Sequence, residues 1–307
     1  MHSQVSGKNM HWHHLSQVDE EDLQFLQETF QFHYLDYEDI RSERRISKLD
    51  VYKHYVFMTF HLPFLDERGR VIGEPLHVFL SADNLITISQ VKIPTIERFF
   101  RSCSKNTKFC SRWMQKGTSF FLYKLLVALF QESFPLVTKL VKETDDVEEQ
   151  VYGRRESSVT VRLGRLRRNV LFLRHLIDPQ RHMFINLSGL NRPFLSKDME
   201  IYYDDIRDLL DTIWMTADNL KLIIDGLFDV NEALTSHRTN QIITLFTILT
   251  TALTGPMFLA AFYGMNVDWL PYMDRPLVMA SFFVGSLMII LTMVYFILRR
   301  RPQIRYQ

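Results

Sequence analysis

Two stretches near the end of the chain, residues 242 to 263 (IITLFTILTTALTGPMFLAAFY) and 276 to 298 (PLVMASFFVGSLMIILTMVYFIL), contain no Asp, Glu, Lys or Arg. At about 1.5 Å of rise per helical residue, each is long enough to cross a hydrocarbon core ~30 Å thick. Both are expected to be transmembrane helices, because a hairpin of two such runs inside a soluble protein needs a large apolar surround. The near balance of 36 Lys+Arg against 35 Asp+Glu says little about partners, but the placement of the charges does. Arg299, Arg300, Arg301 and Arg305 follow the second span, while the loop between the spans has only Arg275. The positive-inside bias puts the C-terminus in the cytoplasm, and two crossings return everything before Ile242 to that side. The start, MHSQVSGKNMHWHH, lacks the apolar core of a signal peptide. Cys103 and Cys110 are therefore expected to remain free thiols in a reducing compartment, without a metal role.

Before the spans, residues 51 to 62, 74 to 81 and 84 to 90 are short, rich in β-branched and aromatic residues, and separated by Asp/Gly/Asn turn chemistry. They are expected to be strands of one sheet. Helical patterns flank them at 19 to 32 and 95 to 103 and dominate from about residue 117 onward. The chain is therefore expected to be an α/β domain followed by helices. Seven arginines lie between residues 154 and 174. Asp145, Asp146, Glu148, Glu149 and Glu156 lie close by in sequence, so charge pairing within a helical hairpin is preferred to a nucleic-acid surface. His2, His11, His13 and His14 match no common metal-ligand spacing, and a mobile or strand-forming N-terminus is the simpler reading.

From Phe194 to Gly255 there is no proline, and only Gly226 interrupts before the end. A continuous helix over this stretch would be about 90 Å long, far more than a bilayer requires. Asp204, Asp211, Asp218 and Asp225 recur every seven residues, with Asp229 four further on. On a helical wheel they share a sector about 60° wide. Ser236, Asn240, Thr247, Thr251 and Thr254 continue that sector, with Thr244 and Thr250 at its edges. A stripe that is acidic before the membrane and hydroxylic within it fits a hydrated path entered through a cation-attracting funnel. Back-bonding to the helix is the plainer role for the threonines. Two spans cannot enclose a path alone, so a ring of identical subunits is expected, with the second span facing lipid.

Pro256, the run Tyr263-Gly264-Met265-Asn266, the second span and the arginine cluster occur in the order that marks the CorA family of magnesium transporters. The EDI segment Glu38-Asp39-Ile40, the GLFDV segment at 226 to 230 and the SHRTNQ approach to the membrane extend the resemblance over most of the chain. It implies a funnel-shaped homopentamer divided into six parts: a cytoplasmic α/β domain (1–115), a helical hairpin region (116–193), a stalk helix continuing as the first span (194–263), an external loop (264–275), a second span (276–298) and a basic cytoplasmic tail (299–307). Both termini lie in the cytoplasm of a cell-membrane protein that touches lipid, divalent cations and its own copies, with no nucleic acid and no organic cofactor.

By the same resemblance, Gly264, Met265 and Asn266 form the selecting ring, Thr247, Thr250, Thr254 and Met257 line the pore, and Asp229 rings its inner mouth. The residue pattern adds Asn240 to the lining. Mg²⁺ dehydrates reluctantly, so neutral amide and carbonyl oxygens suit its water shell, and they hold the ion weakly enough to release it. Asp39 and Asp205, with Glu38 beside them, match positions where neighbouring subunits share a regulatory divalent ion. The resemblance therefore implies Mg²⁺ both as cargo and as regulator. Where the family commonly has an acid after the loop proline, this chain has Tyr272, leaving Asp268 and Asp274 to supply negative charge at the entrance. That departure keeps a Zn²⁺ or other transition-metal carrier open, although Met265 favours magnesium. A non-transporting membrane scaffold is the reading from another class. There is no GxxxxGK[ST] sequence and no nucleophile-base constellation, so an enzyme is not expected.

Overall fold

The computed structural model describes residues 2–7, 10–42, 46–105, 107–153, 159–190, 195, 197–266, 271 and 275–299. It divides into two units, Met1–Asp229 and Val230–Gln307.

The first unit is built on a six-stranded sheet of β1 (His2–Ser6), β2 (His11–Ser16), β3 (Lys48–Val51), β4 (Tyr55–Leu65), β5 (Val71–Ser81) and β6 (Asn84–Ser89). Its order is β1-β2-β6-β5-β4-β3, antiparallel throughout except where β2 runs parallel to β6. Three of these strands were legible as apolar β-branched runs. The N-terminal histidine segment also forms strands, β1 and β2, with His13 and His14 buried. Among the described residues no group of three or more His, Cys, Asp or Glu could hold a metal ion.

The helical pattern at 19 to 32 resolves into α1 (Glu20–Thr29), and a second helix, α2 (Tyr34–Arg41), follows. Asp19 caps α1 by accepting from Asp22 N–H at 2.8 Å, and the chain turns extended at Phe30. The His33 ring starts α2 by accepting from Leu35 N–H. These helices cover one sheet face through Leu23, Leu26, Tyr37 and Ile40 against Tyr55, Phe57, Phe79, Ile86 and Ile88.

The following helices are α3 (Pro94–Lys105), α4 (Thr107–Met114), α5 (Thr118–Gln131), α6 (Phe134–Tyr152) and α7 (Val159–Ser188). By length and composition Thr118–Tyr152 could cross a membrane, but 61% of its apolar window is buried in the fold, whereas none of the later helix's window is. It is core: Phe60 of β4 meets Phe130 of α5 and Phe184 of α7. Two buried amides pin α7 to the strands. Asn169 accepts from Val71 N–H and donates to the Gly69 carbonyl, while Gln180 accepts from His61 N–H and donates to the His61 carbonyl. Paired this way, each amide is buried without stranding a polar atom.

The expectation of free thiols is corrected. Cys103 on α3 and Cys110 on α4 are joined as a disulfide, both buried. In one continuous helix their Cα atoms would lie ~10 Å apart; packing α3 on α4 brings them to 5.0 Å.

A 3₁₀ turn (Lys197–Met199) leads into α8 (Glu200–Tyr263), a 64-residue helix that runs from the first unit into the second. Its buried residues, Tyr203, Ile206, Leu210, Ile213, Ala217, Leu220, Ile224 and Leu227, recur at three- and four-residue steps and stop before Asp229. The second unit contains the rest of α8 and α9 (Pro276–Arg299). Here Ile242, Phe246, Phe258, Leu277 and Ile289 are exposed, the surface expected of a helix bathed in lipid.

Candidate functional site: a threonine-bearing helix, its terminal turn and carboxylates of the first unit

Within the charge-free part of α8, every threonine whose hydroxyl bond is resolved donates to its own helix. Thr244 donates to the Asn240 carbonyl at 2.7 Å, Thr247 to Ile243 at 2.8 Å, Thr250 to Phe246 at 2.9 Å and Thr254 to Thr250 at 2.8 Å. The plainer of the two expected roles is thus observed, and it has a chemical consequence. A hydroxyl whose proton is committed to the backbone offers only lone pairs outward. Such a surface accepts hydrogen bonds from the water shell of a cation. Asn240, Thr247, Thr250 and Thr254 are all exposed, and Met257 is 66% exposed.

Pro256 sits inside α8, where it cannot donate to the Ala252 carbonyl. Beside it, a Cβ on Gly255 would lie 3.2 Å from Ile290 Cδ1, so α8 and α9 approach closely at this glycine. The helix ends at Gly264, whose N–H donates to the Ala260 carbonyl at 2.9 Å. A Cβ there would meet that same carbonyl oxygen at 3.0 Å, so glycine closes the turn most easily. Met265 and Asn266 follow, both exposed, and the Tyr263 hydroxyl donates to the Pro271 carbonyl at 3.2 Å, tying the loop back to the helix end. Asp268 and Asp274 lie outside the described residues.

The aspartate stripe is placed differently from the sequence expectation. Asp225, Asp218 and Asp211 pair with Arg167, Arg174 and Arg181 of α7, the first two at 3.0 and 3.3 Å. As the aspartate numbers fall by seven the arginine numbers rise by seven, so this is an antiparallel ladder in heptad register. Arg181 and Arg174 also lie over the Trp214 ring, 4.4 and 5.2 Å from its centroid. Arg167, Arg174 and Arg181 are thus matched by carboxylates of α8, not by those of α6. Spacing of seven on two helices allows this register; proximity in sequence did not reveal it. Asp204 pairs with Arg207, and Asp229 is exposed beyond the ladder.

Asp39 is half-buried on α2 and accepts from Lys48 Nζ at 2.5 Å, and the same ammonium lies 2.5 Å from Asp50. Glu38 is exposed on the same helix. Asp205 accepts from the Tyr123 hydroxyl at 2.8 Å; burial, and then this bond, push the Tyr123 phenol up to about 12. Sequence reasoning missed Asp36, which is fully buried and accepts from the Tyr52 and Tyr55 hydroxyls at 2.8 and 2.6 Å. Burial raises its carboxyl above the usual range, although the two hydroxyls oppose the shift. Its sequence neighbours, exposed Leu35 and buried Tyr37, gave no signal that distinguished it from a surface acid.

An α/β unit, a helix of 64 residues that ends in an apolar stretch carrying outward acceptors, and a second apolar helix fit the class of integral membrane proteins. The CorA-like Mg2+ transporter protein family matches residues 7–301. The chain is 28% identical over 278 residues to the cobalt/magnesium transport protein CorA of Thermotoga maritima, covering 89% of this chain and 78% of that protein. It is 24% identical over 260 residues to the protein of the same name from Methanocaldococcus jannaschii, covering 84% and 80%. The solved structure of the CorA magnesium transporter from Methanocaldococcus jannaschii shares its fold, with a TM-score of 0.81 at 20% identity over 96% of this chain and 92% of that one. The chain belongs to the CorA-like family, and its class of activity is divalent-cation transport.

Proposed function

We propose that the chain assembles as a homopentamer in the cell membrane and conducts Mg²⁺, with Co²⁺ and Ni²⁺ as further cargo, down an inside-negative potential. Residues 1–193 and the first part of α8 stand in the cytoplasm, residues 264–275 form the external loop, and 299–307 a cytoplasmic tail. The arginines after the second span support this orientation. The Cys103–Cys110 bond stands against it, because reducing compartments keep thiols open.

The observation that carries the reading is the row of back-bonded threonines leading to an exposed Gly264-Met265-Asn266 turn. Five copies around an axis would present hydroxyl, amide and carbonyl oxygens as acceptors to hydrated Mg²⁺, without stripping its water. Asp229 rings the inner mouth, and Asp268 and Asp274 concentrate cations at the outer one. A divalent ion moving inward gains about 4.6 kcal/mol per 100 mV, so no energised pump is needed. Internal Mg²⁺ bound at Asp39 and Asp205, with Glu38 near, favours a closed ring and its loss loosens it.

Asn266→Ala in purified protein reconstituted into liposomes is the test. Mg²⁺ flux should be abolished while the oligomer remains intact by size-exclusion chromatography with light scattering. Unchanged flux would sink the filter assignment. Zn²⁺ outcompeting Mg²⁺, Co²⁺ and Ni²⁺ in the same liposomes would move the protein to the transition-metal branch.

A further inference from the structure

For Asp39 to take a regulatory divalent ion it must be open to one, and the chain has already put a cation there. Strand β3 sets Lys48 opposite Thr59 and Asp50 opposite Phe57, so both side chains rise from the sheet face that α2 covers. Their ammonium and carboxylate meet Asp39, with Lys48 Nζ at 2.5 Å from an oxygen of each aspartate. None of the three is fully exposed: their side chains keep 38% (Lys48), 23% (Asp39) and 28% (Asp50) of their accessible surface. The Asp50 oxygen facing Lys48 is itself shielded from solvent. Burial works against the ammonium, yet its bonds to Asp39 and Asp50 raise its pKa overall, so it stays charged at every physiological pH.

Charge counting shows what the arrangement does. Two carboxylates and one ammonium leave a single negative charge at a place where two carboxylates alone would hold a divalent ion at neutrality. Asp205 differs: its recorded partner is a neutral hydroxyl, which steers the carboxylate without cancelling its charge. Of the two carboxylates proposed to share the ion, Asp39 is therefore the one already compensated.

We propose that Lys48 is a tethered counter-cation, holding the position beside Asp39 that a free divalent ion would otherwise occupy and turning divalent-ion sensing at this carboxylate into a competition with the chain's own ammonium. The inference rests on the proposed regulatory role of Asp39. A tethered group acts at an effective concentration of millimolar or more, in the same range as cellular Mg²⁺. It holds its water less tightly than Mg²⁺ does, so its bonds cost less dehydration. Lys48 therefore sets the concentration at which regulation begins without forbidding it, because a side chain already partly exposed can swing into water when displaced.

The experiment uses the full chain in detergent, titrated with MgCl₂ and followed by thermal unfolding and by trypsin protection. Lys48→Met should lower the Mg²⁺ concentration of half-maximal protection by about tenfold. Lys48→Arg should titrate as the parent does, and Lys48→Met/Asp50→Asn should lose the gain. Should Lys48→Met fold poorly without divalent ion, Lys48→Gln, which keeps hydrogen-bond donors and loses the charge, gives the same reading. A midpoint equal to that of the parent, or no response to Mg²⁺ in either uncharged variant, overturns the inference. Mg²⁺ flux measured after the same preparations are reconstituted into liposomes separates the two levels: retained flux with an unmoved midpoint removes Lys48 alone, whereas a parent protein that passes no Mg²⁺ removes the transport reading beneath it.

Discussion

Helix α8 carries a polar stripe in both units, and the two halves satisfy it in opposite ways. Between Asp211 and Asp225 the polar groups are answered by another element, the arginines of α7, and the helix's other side is buried through Leu210, Ile213 and Leu220. From Asn240 to Thr254 the hydroxyls of Thr244, Thr247, Thr250 and Thr254 are answered by the helix itself, and its apolar residues Ile242, Phe246 and Leu253 are exposed. One sector of a helical wheel therefore serves two purposes. In the first unit the stripe is part of the packing; in the second its acceptor side is left open. A pattern of polar residues at helical spacing identifies a face, but not what stands opposite it.

The largest effect that could sharpen this contrast comes from acid. His77 of β5 is buried, with its Nδ1 3.0 Å from the Thr59 hydroxyl and its ring stacked on Phe57. Burial, assisted by His61 and opposed by Asp39, pushes it down from 6.5 to about 4. Because the unfolded chain takes up this proton first, stability of the first unit falls as pH drops through that window. The loss should approach ~3 kcal/mol by the lower end. Denaturant unfolding by tryptophan fluorescence at several pH values should show this slope, and His77→Gln should flatten it. Equal slopes in the two proteins would mean that His77 is not held neutral by the fold. Titration of this kind has no counterpart in the threonine row, whose groups carry no charge to lose.

A smaller effect tests the ladder. Arg174→Asp should cost about 1 kcal/mol, since the pair with Asp218 is partly exposed and screened, and the stacking on Trp214 goes with it. Adding Asp218→Arg should return part of that loss, and a double-mutant cycle measures how much is coupling. Strict additivity would show the two side chains to be neighbours without interaction. Smallest of all, Thr254→Val should change thermal stability by less than about 0.5 kcal/mol, because the hydroxyl bonds only its own helix. Its Mg²⁺ flux in liposomes should nevertheless fall. A stability loss comparable to that of Arg174→Asp would mean that the second half of α8 is packed after all, and would erase the distinction between the halves.

Much of the fold was legible because it is written in local terms. The strands β4, β5 and β6 follow from β-branched runs between turn residues, and α8 from a long stretch without proline. The Gly264-Met265-Asn266 turn could be located from its place between two apolar spans. Other features depend on residues far apart in the chain. Asp36 and Lys48 look in sequence like surface charges, yet one is sealed under two tyrosines and the other bridges two aspartates. The Arg167–Asp225 pair links positions 58 residues apart, and no reading of the arginine cluster by its sequence neighbours could select it.

Hydropathy and periodicity act through the backbone and the nearest turns, so by themselves they located the charge-free runs, strands β4 to β6, the long helix α8 and the residues that share its faces; α2, β3 and the burial of the apolar Thr118–Tyr152 stretch lay beyond their reach. Which charge meets which depends on the register of one element against another. That register is decided by packing, as α7 docks on the sheet through Asn169 and Gln180 and so brings its arginines to α8. The joining of Cys103 to Cys110 and the capture of Asp39 by Lys48 belong to the same class. Each requires two elements to arrive together, and a linear sequence specifies such meetings only through the energy of the whole fold.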